Sequence, residues 1–418
     1  MKILIVSTSD MDGGAARAAY RLHHSLLAQN IDSQMLVQSK RSDEYRIIGP
    51  RTKVRKVISK FRPFLDGVLS KLYKSRTKTL FSSAWLPFGN TVNKINEINP
   101  DIVHLHWIAG GMLRIEDLQR IKAPIVWSLH DMWAFTGGCH YDEECNAYQD
   151  HCGNCKVLGS QRDYDLSRIN LKRKLRTYSK IKNLTINGSS KWITEAAKSS
   201  LLLKERNVVN IPNPIDGDVF KPLDKSLVRS LLKIPLDKRI VLFGAVNPLG
   251  DPRKGFEPLF NALNLLEIDD VEFVIAGSSE PKSPEAFKYP VHYISPLLDE
   301  MSLPVLYNIA DVVVVPSLQE NLANSVVESL LCGIPVVAFD IGGNPDMIDH
   351  KKNGYLVKPF DSKDMALGIE WIINNKNYAA LSSSAREKSV ANYSYDIVSN
   401  RYIELYKKIT VSTSGGLS

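Results

Sequence analysis

The chain is 418 residues long, with 44% hydrophobic residues, 23% charged residues and a net charge of +8. That length exceeds one ordinary hydrophobic core and predicts two domains, and the composition is typical of a globular protein in water. The sequence contains no apolar run of the roughly 18 residues that a membrane-spanning helix needs, so none is predicted.

Residues 2–7 form the first apolar run, and polar residues follow at once without the cleavage site of a signal peptide. We therefore interpret this run as a strand and expect a cytoplasmic protein. Short apolar runs and helical stretches then alternate, which predicts βαβ units and a parallel sheet. The predicted strands are 33–37, 101–106, 123–128, 184–188 and 208–211, and the predicted helices are 15–29 and 191–199.

Residues 51–78 contain ten basic residues and a single acid, Asp66, with apolar residues interleaved at roughly helical spacing. A second basic run covers 168–182. Such runs are typical of solvated helix faces, or of a peripheral helix on an anionic membrane surface, where each nearby basic residue contributes about 1 kcal/mol. Both interpretations stay open. Nucleic acid is not expected as a partner, because no zinc finger, helix-turn-helix or RNP-like aromatic pattern accompanies the charge.

The strand and helix pattern restarts in the second half of the chain, after a Pro-rich segment at 212–216 that is suited to a linker. Near-continuous apolar strands in this half are typical of a parallel sheet covered on both faces. The predicted strands are 239–243, 271–276, 291–294, 311–316 and 335–338, and the predicted helices are 255–266, 303–308, 325–331 and 362–374.

The predicted fold class is therefore α/β, with two Rossmann-like, doubly wound parallel-sheet domains. Ligands of such sheets bind outside the carboxyl ends of the strands, and we expect the two domains to face an interdomain cleft there. The expected parts of the chain are a first domain at 1–212 with a cysteine-rich loop at 136–160, a second domain at 213–390, a helix at 391–409 and a disordered tail at 410–418.

The segment 316–328 carries the most specific pattern and follows the predicted strand 311–316. Asn324 or Ser325 is a suitable N-cap for the helix that follows, and the N–H groups of a helix start can hold a phosphate. Glu320 and Glu328 flank that start, and each carboxylate can accept hydrogen bonds from pairs of hydroxyls. This combination suits a sugar nucleotide.

Here the chain resembles the retaining glycosyltransferases of family 4, which have the GT-B fold. Glu320 and Glu328 match the family's Glu-x7-Glu signature. The resemblance implies that Glu320 holds the hydroxyls of the donor sugar and that Glu328 holds the ribose. It extends over most of the chain, through the segments 329–337, Gly342-Gly343 and 353–357, the hinge 213–216, and the helix 395–408 that in this family crosses back to the first domain.

The loop that precedes the helix at 255–266 presents two adjacent cations, Arg253 and Lys254. Fixed cations can neutralise a diphosphate leaving group as its charge rises during bond cleavage. Lys254-Gly255 matches the family's Lys-Gly pair. The family's Gly-Arg after the strand is Gly244-Ala245 here, so Arg253 is expected to substitute, and an exposed basic loop remains the alternative.

Gly13 and Gly14 follow the first strand, where glycines let the backbone approach a phosphate or an acceptor closely, and the family has a similar loop. His130 follows the strand at 123–128 and matches the active-site histidine of the family, which lies near the donor sugar. We expect His104 and His106, on the preceding strand, to be structural.

In the mechanism usually proposed for this family, the departing phosphate takes the acceptor proton on the same face of the sugar. The resemblance therefore implies no catalytic metal, and His130 is not expected to act as a general base. A double displacement with a carboxylate nucleophile stays open.

The loop at 136–160 contains four of the five cysteines, Cys139, Cys145, Cys152 and Cys155. In a reducing compartment, clustered cysteines with a C-x2-C pair predict a metal site before disulfides, and a structural Zn²⁺ on four thiolates would stabilise a loop with little core. Reduced thiols, disulfides or an iron–sulfur cluster remain alternatives. Residues 130–140 resemble a branch of the family linked to exopolysaccharide and colanic-acid-like synthesis.

These observations predict a retaining hexosyltransferase that moves a sugar from a UDP- or GDP-sugar, held by the second domain, to an acceptor held by the first. The expected acceptor is a lipid-linked saccharide at the inner membrane face, in surface polysaccharide biosynthesis. The alternatives are a sugar-nucleotide epimerase or phosphorylase on the same scaffold, or a non-catalytic protein that binds sugar nucleotides or nucleic acid. Residues 295–300 are expected near the base of the donor but carry no signature for it.

Overall fold

The computed structural model of the chain describes residues 1–87, 89–244, 250–278, 287–297 and 299–414. The chain divides into two compact units, the first formed by Met1–Asn213 with Val398–Ser418 and the second by Pro214–Ile397. Each unit is built on one parallel sheet, so the predicted α/β fold class is confirmed. No helix among the residues described is long and apolar enough to cross a membrane.

The first unit contains a seven-stranded sheet in which every neighbouring pair of strands is parallel. Its strands are β1 (Lys2–Ser9), β2 (Asp32–Ser39), β3 (Ile47–Ile48), β4 (Ile102–Leu105), β5 (Ile125–Leu129), β6 (Leu184–Gly188) and β7 (Asn207–Asn210). Their order is β3-β2-β1-β4-β5-β6-β7. The helices are α1 (Gly14–Ala28), α2 (Lys53–Asp66), α3 (Val68–Lys71), α4 (Thr91–Ile98), α5 (Leu166–Tyr178) and α6 (Lys191–Ser199).

The core of the first unit lies on both faces of this sheet, because alternate residues of a strand point to opposite faces. Leu4 and Val6 of β1 belong to one buried cluster, whereas Ile3 and Ile5 belong to another that includes Leu22 of α1. The strand is therefore one continuous apolar run in the sequence. Its polar carboxyl end leads into the following turn, which lies at the carboxyl ends of the strands.

The second unit contains a six-stranded parallel sheet in the order β10-β9-β8-β11-β12-β13. Its strands are β8 (Arg239–Gly244), β9 (Val271–Ala276), β10 (Val291–Ile294), β11 (Val312–Val315), β12 (Val336–Phe339) and β13 (Gly354–Val357). Its helices are α7 (Lys225–Leu232), α8 (Phe256–Leu265), α9 (Ser302–Asn308), α10 (Asn324–Leu331), α11 (Asn344–Met347), α12 (Ser362–Ile373) and α13 (Tyr378–Tyr393).

The central strand β11 shows why this half reads as continuous apolar runs. Val313 and Val315 pack in one buried cluster, and Val312 and Val314 pack in a second one on the opposite face. Both faces of the sheet are covered by helices, as the Val-rich pattern predicts.

The last helix, α14 (Tyr395–Ser414), contributes its residues from Val398 onward to the first unit. Val398, Tyr402 and Tyr406 are buried in the cluster that contains Ile3 and Ile5. The expected disorder from residue 410 is wrong for 410–414, because no glycine or proline interrupts the helix there.

Some of the predictions fall on residues that the structure does not describe. Residues 415–418 of the expected tail lie outside the described residues, and so does Ala245, where the family's Gly-Arg is replaced. Leu298 of the predicted base-contacting segment also lies outside them.

Candidate active site

In the second unit, two of the predicted residues meet where the strand order reverses. β8 lies between β9 and β11, and ligands of such sheets bind at this reversal, outside the carboxyl ends of the strands. Lys254 follows β8 and Glu320 follows β11, and the Lys254 Nζ donates a hydrogen bond to the Glu320 Oε1 over 2.9 Å. Both side chains are partly buried, at 30% and 17% exposure. Because β8 and β11 are neighbours in the sheet, the motifs that follow them lie side by side although they are far apart in sequence.

Two glycines pack closely against the backbone of the loop that carries Glu320. Gly255 has a φ of +71°, and a Cβ there would lie 1.8 Å from the carbonyl oxygen of Pro316. Gly342 has a φ of +53°, and a Cβ there would lie 1.8 Å from the carbonyl oxygen of Glu320. Only glycine allows this backbone conformation and this approach together. The glycines of both sequence motifs thus pack against the backbone that presents Glu320.

Glu328 lies in α10 and is only 4% exposed. The Tyr307 Oη donates a hydrogen bond to its Oε2 over 2.6 Å. A buried carboxylate needs such a donor, because an unpaired one would lose its hydration without compensation. Tyr307, at the end of α9, was not predicted, since a single tyrosine in an apolar helix gives no sequence signal.

The helix start between the two carboxylates differs by one residue from the prediction. Ala323 is the N-cap residue of α10, with an extended backbone (ψ of 110°), and no side chain caps the helix. Asn324 and Ser325 are therefore the first two helical residues, so the prediction that one of them is the N-cap is wrong. Both lie in the first turn, where the positive end of the helix dipole is located.

Arg253 is engaged differently from the prediction. Its Nε and Nη2 donate to the Asp251 Oδ1 and Oδ2 over 3.1 and 2.7 Å, and half of its side chain is exposed. The hydrogen bond from Arg253 is the largest cause that lowers the pKa of Asp251. The Arg253 carbonyl accepts a hydrogen bond from the Leu318 N–H over 2.8 Å, which ties this loop to the one carrying Glu320.

In the first unit, Gly13 and Gly14 form the turn between β1 and α1. Gly13 is the N-cap of α1, with a φ of +88°, and a Cβ there would have no atom within 4 Å. Open space therefore lies beside this turn. The two glycines line a pocket of about 1360 Å³ together with residues of β2, α2 and the loops between them.

His130 follows β5 and forms a pair with His106, which follows the neighbouring strand β4. The His106 Nδ1 and His130 Nε2 lie 2.8 Å apart, and the two rings stack with centroids 5.0 Å apart. Burial lowers the pKa of His130 to about 4 and that of His106 well below its usual value, so both rings are neutral near pH 7. His104 bonds to the hydroxyls of Tyr406 and Ser128 over 2.6 and 2.8 Å, as a structural histidine does.

Asp131 is the residue beside His130 that the sequence did not single out. It accepts hydrogen bonds from the Trp107 Nε1 over 2.9 Å, from the Trp133 N–H over 2.9 Å and from the His140 Nδ1 over 2.6 Å. Burial opposes its ionisation, but the attraction of His140 and these bonds outweigh it, so the pKa of Asp131 lies below its usual value. Three hydrogen bonds to Asp131 therefore stabilise the turn that carries His130.

The predicted zinc site is not supported. Among the residues that the structure describes, no group of three or more His, Cys, Asp and Glu side chains could hold a metal ion. Cys139 and Cys155 pack in one small apolar cluster, Cys152 packs in a different one, and Cys145 is exposed. Burial raises the pKa of the Cys152 thiol to about 12 and that of the Cys155 thiol to about 11. Three of the four cysteines therefore pack among apolar residues, and the fourth, Cys145, is exposed.

A buried lysine ties the base of this loop to the first unit. The Lys174 Nζ donates to the carbonyl oxygens of Trp133 and Thr136 and lies 4.0 Å from the centroid of the Trp133 ring. Burial lowers the pKa of Lys174 to about 7. The basic run at 168–182 is therefore not a uniformly solvated face, because Lys174 is fully buried within it.

Comparison with known proteins identifies relatives of both units. Residues 229–388 match the family model described as Glycosyl transferases group 1. An uncharacterized glycosyltransferase of Methanocaldococcus jannaschii is 24% identical to the chain, over 77% of the chain and 87% of that protein. A D-inositol 3-phosphate glycosyltransferase of Mycolicibacterium smegmatis is 31% identical, but the match covers only 45% of each protein.

Solved structures resemble the chain over nearly its whole length. A sucrose-phosphate synthase from Thermosynechococcus elongatus has a TM-score of 0.69 at 19% identity and covers 99% of the chain and 100% of its own. The Anabaena protein HepE, in complex with UDP and glucose, has a TM-score of 0.65 at 16% identity and covers 97% and 99%. WaaG, a glycosyltransferase involved in lipopolysaccharide biosynthesis, has a TM-score of 0.59 at 15% identity and covers 98% of each chain. These similarities show the predicted GT-B fold.

Proposed function

We propose that the chain is a glycosyltransferase of group 1, the family whose model matches residues 229–388, and that it transfers a hexose from a nucleotide sugar to a saccharide acceptor with retention of configuration. The observation that carries this proposal is the Lys254–Glu320 pair at the point where the second sheet reverses its strand order. A cation and a carboxylate in contact suit a ligand that presents a diphosphate beside a sugar.

On this proposal the donor is bound by the second unit. Lys254 and the first turn of α10, with Asn324 and Ser325, face the diphosphate, because fixed positive charge stabilises a leaving group whose negative charge grows. Glu320 accepts hydrogen bonds from the sugar and Glu328 from the ribose. Arg253 supports the loop and can add positive charge once it leaves Asp251. A UDP-sugar is the favoured donor, since HepE was solved in complex with UDP-glucose.

In the proposed reaction, the bond between the anomeric carbon and the donor phosphate breaks while the acceptor oxygen bonds to the same face. The acceptor proton passes to the departing phosphate, so the products are the glycoside and the nucleoside diphosphate. A His130 whose pKa is lowered to about 4 is neutral in this setting and acts as a hydrogen-bonding group that positions the sugar rather than as a charged acid. The enzyme then contributes mainly position and electrostatic stabilisation.

We further propose that the first unit binds the acceptor beside Gly13 and Gly14 and that this acceptor is a lipid-linked saccharide of surface polysaccharide synthesis. Support comes from α2, which exposes large apolar side chains among its basic residues, including Phe61 at 60% and Phe64 at 59%. Basic amphipathic helices of this kind bind the surface of anionic membranes. Peripheral attachment to the inner face of the plasma membrane follows from the same feature.

The test is a thermal-shift panel of UDP-, GDP- and ADP-sugars, followed by turnover and product stereochemistry by NMR. Lys254→Ala and Glu320→Gln should each lower kcat/KM by about 100-fold or more, the magnitude typical of a lost electrostatic contact to a transition state. Lys388→Ala is the matched control, because Lys388 forms a 2.9 Å ion pair with Asp349 elsewhere in the same unit.

Retained turnover in Glu320→Gln, or an inverted product, would contradict the proposal. Nucleotide-sugar binding without any transfer would support a binding protein instead. Sugar interconversion without an acceptor would support an epimerase, and release of a sugar 1-phosphate from inorganic phosphate would support a phosphorylase.

A further inference from the structure

The pocket beside the Gly13-Gly14 turn is strongly basic. Its lining includes five cationic side chains against two carboxylates, Asp12 and Asp43. The cations are Lys40, Arg41, Arg51, Lys56 and Lys60. Two of these cations are already engaged, since the Lys40 Nζ donates to the Glu44 carbonyl over 2.6 Å and the Arg41 Nε pairs with Asp12 over 2.9 Å.

The other three cations are not compensated by the protein. The side chains of Arg51, Lys56 and Lys60 form no hydrogen bond and no ion pair within the part of the chain that the structure describes. All three are exposed, and they converge on one concave surface. Like charges held around one cavity repel each other, and they attract an anion that enters it.

A buried hydroxyl in the same pocket independently indicates a ligand. Ser7, near the end of β1, is 1% exposed and lines the pocket, yet its Oγ has no hydrogen-bond partner among the described residues. Buried hydroxyls are almost always paired, and leaving one unpaired costs about 1–3 kcal/mol. The start of α1, with Gly13 as its N-cap, lies on the same wall and adds the positive end of a 15-residue helix.

The two faces of α2 indicate what kind of molecule carries the anion. Lys56, Ser59, Lys60 and Pro63 are spaced at helical intervals and line the pocket. The opposite face of α2 is apolar and exposed to solvent, with exposures of 68% for Val54, 53% for Val57, 50% for Ile58, 60% for Phe61 and 59% for Phe64. One helix therefore offers cations on one side and a lipid-compatible surface on the other.

We propose that this pocket is a binding site for a phosphate or diphosphate group on the acceptor, with Lys56 and Lys60 of α2, Arg51 and the Ser7 hydroxyl as its ligands. Lysine and arginine bind phosphate oxygens through charge-assisted hydrogen bonds, and Ser7 donates the hydrogen bond that no group among the described residues accepts. That the ligand is an acceptor depends on the proposed glycosyl transfer, whereas the anion site itself does not.

The test measures the affinity of the whole chain for inorganic pyrophosphate by isothermal titration calorimetry, in excess UDP so that the proposed donor site is occupied. The variant Lys56→Glu/Lys60→Glu should weaken binding at least tenfold, and Ser7→Ala should weaken it about threefold or more. The control is Lys53→Glu/Arg55→Glu, which makes the same change in charge on the same helix at positions that do not line the pocket. Binding by the control should stay within threefold of the unmodified chain, and circular dichroism checks that all variants are folded.

Equal weakening in the two double variants would overturn the proposal, because it would show attraction to the basic helix as a whole. Undetectable pyrophosphate binding by the unmodified chain would also overturn it. UDP is titrated in parallel and should bind equally to all four proteins. If UDP binding is absent while the pyrophosphate result holds, the proposed glycosyl transfer fails and the anion site stands.

Two sources of the phosphate group are separated by vesicle sedimentation. Phosphatidylcholine vesicles that contain a polyprenyl phosphate are compared with vesicles that carry the same charge as phosphatidylglycerol. Preferential retention on the polyprenyl phosphate, lost in Lys56→Glu/Lys60→Glu and competed by pyrophosphate, supports a lipid-linked acceptor at this site. Equal retention on both vesicles, with pocket-dependent pyrophosphate binding, supports a water-soluble phosphorylated acceptor at the same site.

Discussion

Gly255 packs against the backbone of Pro316 in the candidate site, and this close contact makes Gly255→Ala an informative single substitution. The two residues belong to the loops that carry Lys254 and Glu320. An added Cβ would lie 1.8 Å from the Pro316 carbonyl oxygen, whereas real Cβ atoms essentially never lie within 3.0 Å of such an atom. The two loops must therefore separate by about 1.2 Å at this point.

The substitution has two separable costs. The φ of +71° at Gly255 strains an alanine by about 1–2 kcal/mol, which lowers the free energy of unfolding. The displacement acts on function, because a shift of about 1 Å in a positioned group can reduce a rate about 100-fold. The 2.9 Å contact between Lys254 and Glu320 would be lost. We expect kcat/KM to fall about 100-fold while the chain stays folded.

Gly333→Ala separates the two costs. Gly333 lies after α10 with a φ of +74°, so the backbone strain is the same, but its nearest atom is the Ser382 Oγ at 2.9 Å, which can move away once its hydrogen bond to the Gly333 carbonyl breaks. Both variants should have a lower melting temperature than the unmodified chain, and only Gly255→Ala should lose activity. Equal activity of the two variants, measured with the donor found in the nucleotide-sugar panel, would refute the assignment of this loop contact to the active site.

Three further predictions concern Glu328, His130 and the cysteine-rich loop. Tyr307→Phe removes the hydroxyl that donates to the buried Glu328, so it should lower the free energy of unfolding, measured by urea titration, by about 1–3 kcal/mol and weaken nucleotide binding. An unchanged urea midpoint of unfolding would contradict this prediction. Burial lowers the pKa of His130 from 6.5 to about 4, so the unfolded chain binds more protons between these pH values. The free energy of unfolding should therefore fall as the pH drops from 6.5 to 4. His130→Asn should make this dependence on pH shallower, and an unchanged dependence would contradict the prediction. Incubation with EDTA should leave the melting temperature unchanged, whereas a drop would restore the zinc hypothesis.

The strands of the second unit and the contact between Lys254 and Glu320 could be predicted from the sequence because their signals are local. The four Val residues of β11 alternate between two buried clusters, and this produces the continuous apolar run that predicts a covered parallel sheet. Gly255 and Gly342 are required by the backbone itself, so the motifs that contain them mark the loop around Glu320. The carboxyl ends of neighbouring strands then place Lys254 beside Glu320.

The site contacts of the first unit were less predictable, because they join residues that no sequence motif marks. His106 reads as one more strand residue, and only the pairing of β4 with β5 places it 2.8 Å from His130. Lys174 reads as part of a basic run, although its ammonium group is buried against two carbonyl oxygens. The predicted metal site is not supported among the described residues for the same reason, since spacing in sequence does not fix how thiols are arranged in space.

This difference bears on how a donor and an acceptor are recognised. The side chains proposed to contact the donor are held by the backbone conformation at two glycines and by one helix start, so their positions change little when surface residues change, and they leave a pattern in the sequence. The proposed acceptor contacts depend on side chains such as Lys56, Lys60 and Ser7, which come from separate elements and line one pocket. Substitution of these side chains can alter the acceptor without disturbing the sheet. Specificity for the acceptor should therefore respond to changes in α2, while specificity for the donor should not.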